Sequence, residues 1–220
     1  MRKGLRLIQL VFGLFLFALG LVIVMRGNLG YSSWEIFHEG LTNLLPLTIG
    51  QATILVSVII VGIIMLLKEK IGVGTLANMA LIGLFMDIIL VIDFIPTAIG
   101  IISGLCFIIA GLFVAAFGSY FYISSGFGAG PRDSLMVAIC KKTGLPIGIC
   151  RSLIECSVAV AGWILGGTLG IGTVIAAFGL GWCIQIVFRL FSFEATRIKH
   201  ESLLETLHIR KVKLYNNSDI

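Results

Sequence analysis

The order of apolar and polar residues divides the chain into six apolar runs long enough to cross a bilayer core of about 30 Å, which takes about 17 to 25 residues. They cover Leu7 to Met25, Ile49 to Leu67, Gly72 to Ile92, Ala98 to Ile123, Gly148 to Gly167 and Ile171 to Phe191. The pattern breaks over residues 26–48 and again over residues 124–147. In the first break, Gly27-Asn28-Leu29-Gly30-Tyr31 ends a helix, and Ser32-Ser33-Trp34-Glu35 has the S-x-x-E form of a capping box, in which both side chains satisfy N–H groups at a helix start. Trp34, Phe37, Leu41 and Leu44 fall on one face of the predicted short helix. Glu35, His38, Glu39 and Thr42 fall mainly on the other, which predicts a solvated outer face there. In the second break, Gly126-Phe127-Gly128-Ala129-Gly130 leads into Pro131-Arg132-Asp133, with Pro at the first helical position and Asp133 where Glu35 sits in the first break. Irregular backbone at membrane depth must be buried in protein or line a cavity, so each segment reads as a re-entrant or interfacial helix. Capping alone accounts for the acidic first turns, and helix starts of this kind also hold anions. The glycine run is no nucleotide fingerprint, because no strand precedes it.

Sliding the chain against itself gives a match at an offset of 98 to 100 residues. Gly13-Leu14-Phe15, Ala18, Gly20 and Gly30 meet Gly111-Leu112-Phe113, Ala116, Gly118 and Gly128. Leu45-Pro46, Ile54, Ser57-Val58 and Gly62 then meet Leu145-Pro146, Ile154, Ser157-Val158 and Gly162, and Gly72, Gly74-Thr75, Gly83 and Ile88 meet Gly170, Gly172-Thr173, Gly181 and Ile186. Each unit crosses the membrane three times, an odd number, so the second copy enters from the opposite side. The fold expected is an all-α polytopic membrane bundle, six transmembrane helices arranged as two inverted three-helix repeats. Repeat one takes about residues 5–93 and repeat two about 98–191, in a single membrane domain of residues 1–194 followed by a basic tail of 195–220. Many transporters are built this way, with the substrate site near the midplane between repeats. Duplication that merely produced a stable bundle would leave the same pattern.

Composition agrees with lipid as the solvent: 58% of residues are hydrophobic and 12% charged, against about 45–50% and 25% in soluble domains. With six spans and a cytoplasmic N-terminus, all but one of the 16 Lys and Arg fall on the cytoplasmic side or the adjoining helix ends, Arg26 being the exception. That asymmetry predicts both termini in the cytoplasm, and it explains the net charge of +5 without nucleic acid. The first run follows Arg2, Lys3 and Arg6 as a signal peptide would, but it is too long and lacks a cleavage site before Arg26, so it is read as retained. The five cysteines, Cys106, Cys140, Cys150, Cys156 and Cys183, have no metal-type spacing, and no metal or cofactor is expected. The expected partners are membrane lipid and a small solute, with a homo-oligomer left open.

Charges inside spans are costly and are functional candidates by default. Glu155 follows Arg151 by one turn, which predicts an i,i+4 pair. Asp87 in the third span matches Gln185 in the sixth, and Gln51 matches Arg151. The expectation is an inner cluster of Arg132, Asp133, Arg151 and Glu155 and an outer cluster of Glu35, His38, Gln51 and Asp87, flanking a substrate path. The alternative is that these groups cross-brace the repeats. His38 with Glu35 and Glu39 has a helical spacing able to bind a proton or cation. No nucleophile, base and orienting group occur together, so an enzyme is not expected. Transport of an unidentified solute competes with a non-transporting accessory role worked through the basic tail, whose Arg197, Lys199, Arg210, Lys211 and Lys213 suit an anionic leaflet.

At the two breaks, Gly27-Asn28-Leu29-Gly30-Tyr31-Ser32-Ser33-Trp34-Glu35 and Gly126-Phe127-Gly128-Ala129-Gly130-Pro131-Arg132-Asp133, the sequence resembles the YczE/YitT-like bacterial integral membrane proteins, more narrowly the YczE/YyaS group. The likeness extends loosely from the first to the sixth run. It implies a bacterial plasma-membrane protein and supplies no catalytic or ligand residues.

Overall fold

The computed structural model describes residues 3–67, 69, 71–145 and 147–193, and the predicted basic tail lies outside the described residues. In chain order the helices are α1 (Lys3–Arg26), α2 (Ser33–Leu44), α3 (Ile49–Leu66), α4 (Val73–Ile92), α5 (Ile101–Ser124), α6 (Pro131–Thr143), α7 (Ile147–Ile164) and α8 (Ile171–Leu190). The six apolar runs fall on α1, α3, α4, α5, α7 and α8, and the two breaks supply α2 and α6. Among the described residues, α1, α3, α4, α5 and α8 are long and apolar enough to cross a membrane. The helix expected as a further span, α7, is 18 residues long and carries Arg151 and Glu155. The bundle turns apolar side chains outward, as a lipid solvent requires: Leu66, Val91, Ile99 and Ile102 are each more than four-fifths exposed.

Helix α1 runs through the centre, burying Leu10, Leu14, Ala18 and Val22 completely along one face at intervals of one turn. It packs against α4 and, most extensively, antiparallel to α5. Glycines set that crossing. Gly13 lies against Gly118, and Gly20 against Gly111; a Cβ on Gly20 would fall 2.4 Å from the Ala115 amide nitrogen. Close approach of backbones is what holds helices together in lipid, where burying apolar surface gains little.

The two contacts exchange the matched positions of the self-comparison, Gly13 with Gly111 and Gly20 with Gly118. Other contacts pair off likewise. The break before α2 docks on the start of α8, where the Gly172 amide donates to the Leu29 carbonyl at 2.7 Å. The break before α6 docks on the start of α4, where the Gly74 amide donates to the Phe127 carbonyl at 2.8 Å. Gly30 (φ 111°) and Gly128 (φ 126°) make these two turns in backbone conformations that L side chains rarely adopt. A side chain at Gly30 would also strike the Gly170 backbone.

One pairing fails. Helices α3 and α4 lie close along their length, with Gly50 facing Gly83, whereas α7 scarcely touches α8. Gly181, matched to Gly83, would have nothing within 4 Å of a Cβ, and Gln185, matched to Asp87, is exposed. Helix α7 keeps its contact with α2, the counterpart of α3 on α6, and there Gly162 lies against Phe37 and Gly40 against Leu165.

Candidate functional site

A cavity of about 300 Å³ lies inside the bundle, with wall residues from all eight helices. Its polar wall comes chiefly from the starts of α2 and α6. Ser32 is the N-cap of α2 and Glu35 sits in its first turn, as the capping-box pattern predicts, but the Ser32 hydroxyl donates to the Glu35 carboxylate and makes no bond to the helix backbone. A buried carboxylate is more costly to leave without donors than one backbone amide, and Glu35 is only 1% exposed. Its other oxygen, Oε1, accepts from both Nη1 and Nη2 of Arg132 at 3.3 Å. The Arg132 guanidinium in turn lies 4.9 Å from the centre of the Trp34 ring, a cation–π arrangement. Trp34 and Arg132 are matched positions of the two breaks, as are Glu35 and Asp133. Burial pushes the Glu35 carboxyl above the usual range, and the Arg132 charge pulls it back.

Asp133 accepts a hydrogen bond from the Tyr122 hydroxyl at 3.2 Å through Oδ2. Arg151 and Glu155 of α7 reach the same cavity, both half-buried. No ion pair joins them among the described residues, contrary to the i,i+4 expectation, and both line the cavity. The wall continues along α8 from Ala176 to Phe188, about 18 Å at 1.5 Å per residue. It thus follows the gap that α7 leaves beside α8.

The expected inner and outer clusters are not two separate groups. Arg132, Asp133, Arg151 and Glu155 do share one cavity, but Glu35, assigned to the outer group, belongs with them and pairs with Arg132. Spacing within a short helix could not show this, since the partner lies 97 residues away. Asp87 and Gln51 hold the start of α3 against α4: Asp87 accepts from the Gly50 amide at 2.8 Å and from the Thr48 hydroxyl at 2.5 Å, and Gln51 completes a capping box with Thr48. Gln185 is exposed and outside the cavity wall.

Of the solvated polar face expected on α2, Glu35 and His38 are buried instead, at 1% and 0% exposure, while Glu39 and Thr42 are part-exposed. Nor do Glu35, His38 and Glu39 converge on a cation. Glu39 accepts from the Thr168 amide and hydroxyl in the α7–α8 loop, while His38 meets the Thr53 hydroxyl at 3.0 Å through Nδ1. The Thr53 hydroxyl also lies 2.9 Å from the Ile49 carbonyl, and Nε2 of His38 is left buried without a partner. Burial, followed by the Arg132 charge, holds His38 well below its usual range and thus neutral. Of the glycines expected to break the helices, Gly30, Gly126 and Gly128 have positive φ, and Gly27 and Gly130 sit close against Gly104 and Asn78.

Sequence reasoning missed Tyr122, Asn78, Ser119, Ser57 and Thr53 in the wall. Their signal was present as uncharged polar groups within apolar runs, but such residues also bond to the preceding turn of their own helix and so draw no special notice.

A model of the family described as "Family of unknown function (DUF6198)" matches residues 4–189. The chain belongs to that family. It is 37% identical over 176 residues to the uncharacterized membrane protein YczE of Bacillus subtilis, a match covering 79% of this chain and 80% of the relative. It is 34% identical to an uncharacterized protein of Haemophilus influenzae over 83% of each chain, and 28% identical to the uncharacterized protein YyaS of Bacillus subtilis over 80% of this chain and 88% of the relative. The resemblance to the YczE/YyaS group at the two breaks is therefore a family relation, and the chain is a multi-pass membrane protein. No solved structure matches it. In this DUF6198 chain the two segments that carried the resemblance supply Ser32, Trp34, Glu35, Ala129, Gly130, Arg132 and Asp133 to the cavity wall.

Proposed function

We propose that the chain carries a small solute across the plasma membrane by alternating access of two inverted three-helix repeats, with α7 as the sixth span and both termini cytoplasmic. The observation that supports this most directly is the one failed pairing. Matched seams flank the cavity: α3 closes on α4 and α7 stands away from α8. In a carrier built of inverted repeats, one state is converted into the other by exchanging the conformations of the two halves. The exchanged state would have α7 closed on α8 and α3 released from α4. The Lys and Arg asymmetry places the open seam toward the cytoplasm. The reading is of a carrier and not an enzyme, with the Ser32–Glu35 and Tyr122–Asp133 hydroxyl–carboxylate contacts taken as binding groups.

Cysteine cross-linking in a cysteine-free background tests the exchange. Ile54 lies against Gly83 in the closed seam, and the matched residues are Ile154 and Gly181. Ile154→Cys with Gly181→Cys should form a disulfide on oxidation in membranes, as Thr48→Cys with Asp87→Cys should in the closed seam. Failure of the first pair under every condition in which the second forms would sink alternating access. Orientation is checked separately: an impermeant thiol reagent should label Leu44→Cys from outside only and Lys142→Cys from inside only, both sites being exposed.

A further inference from the structure

Resting on the reading of the cavity as a solute site, we infer that its occupant is a small amphoteric molecule, bearing one cationic and one anionic group on an apolar body. Charge accounting on the wall leads there. Glu35 and Arg132 cancel as an ion pair, reinforced by Ser32 and Trp34. That leaves Asp133, Glu155 and Arg151, none of which has an ion-pair partner among the described residues. The three are half-buried, and a half-buried formal charge gains from a counter-charge brought against it. A solute bearing only an anion would answer Arg151 and leave both carboxylates without a counter-charge. A solute bearing only a cation would balance the net charge of the three groups but leave Arg151 without an anion, since no ion pair joins it to Glu155 among the described residues. One with both offers each sign on the wall a partner: its cation serves Glu155 or Asp133, the latter already holding the Tyr122 hydroxyl, and its anion serves Arg151.

The rest of the wall sets size and body. Arg151 and Glu155 stand four residues apart on α7, about 6 Å of rise, so the two charges of the occupant are close together. Leu21, Ile82, Ile123, Leu180 and Ile184 supply apolar wall. At about 300 Å³ the cavity is at the small end of sites for organic ligands. The pattern is that of an amino acid with an apolar side chain, or a betaine. The same contacts would join occupancy to motion, because two of the three unpaired charges ride on α7, the helix standing away from its seam.

The test is binding to the purified full-length protein in lipid nanodiscs, read by melting temperature and by the fluorescence of Trp34 in a variant lacking the exposed Trp163 and Trp182. The probes are leucine, phenylalanine and glycine betaine, against isoamylamine and 2-phenylethylamine, which keep only the cation, and 4-methylpentanoate and 3-phenylpropionate, which keep only the anion. At least one amphoteric probe should bind more tightly than its single-charge analogues. Arg151→Gln should weaken it roughly ten- to a hundred-fold while sparing the amines, and Glu155→Gln should weaken it similarly while sparing the acids. No binding by any amphoteric probe, tighter binding of an acid or amine, or indifference to both substitutions overturns the inference. The Ile154–Gly181 cross-link is independent of these results. Its success beside a preference for acids would remove the charge assignment and leave transport standing, and its failure beside amphoteric binding would do the reverse.

Discussion

The α3–α4 seam and the α7–α8 seam are built from matched stretches of one chain, yet one is packed and the other parted. The difference lies in a few side chains. In the first, Gly50 and Gly83 let the backbones meet, and Asp87 spans the joint to Gly50 and Thr48. In the second, the positions matched to Gly50, Asp87 and Thr48 are Cys150, Gln185 and Gly148. Both α4 and α8 keep a glycine, Gly83 and Gly181, but only the first is occupied by a neighbour. Packing that depends on backbone approach is lost when one side gains even a small side chain. One carboxylate taking two donors across the joint then decides which seam rests closed.

Substitutions can break this comparison, the largest effect coming from the packed backbone. A Cβ on Gly50 would fall 2.1 Å from the Gly83 carbonyl oxygen, so Gly50→Leu should force the helices apart and lower stability by about 3 kcal/mol, seen as a fall in melting temperature in detergent. Removing the latch comes next. Asp87→Ala should cost about 2 kcal/mol and raise thiol labelling of a cysteine placed at Thr48. The matched substitutions in the parted seam should do least. Gly181→Leu and Gln185→Ala should each stay within about 0.5 kcal/mol of the parent in the same melt. A large loss from Gly181→Leu would show that the seam is closed for most of the time, and a harmless Gly50→Leu would remove the packed one.

Much of the fold was legible from residue order. A stretch of about twenty apolar residues has one inexpensive solvent, hydrocarbon, and the start of a helix is marked locally by its cap. So Ile49 and Ile171 open α3 and α8 where the hydropathy places them, and Pro131 opens α6. The candidate site was legible in its members more than in its arrangement. Arg132, Asp133, Arg151 and Glu155 stood out because charge within an apolar sequence is conspicuous. That Glu35 would join them and His38 would not was illegible: the two side chains are three residues apart on α2, and one reaches α6 while the other reaches Thr53 of α3.

What the sequence determined by itself is the set of helices, the two glycine-marked breaks and the ionisable groups that had to be sheltered from lipid, because each follows from the solvation and backbone freedom of a short stretch. Only the tertiary structure decided which sheltered groups face one another and which of two matched seams closes. Those outcomes depend on backbone approach to within a few tenths of an ångström between helices far apart in the chain, where hydropathy is the same on both sides of the joint.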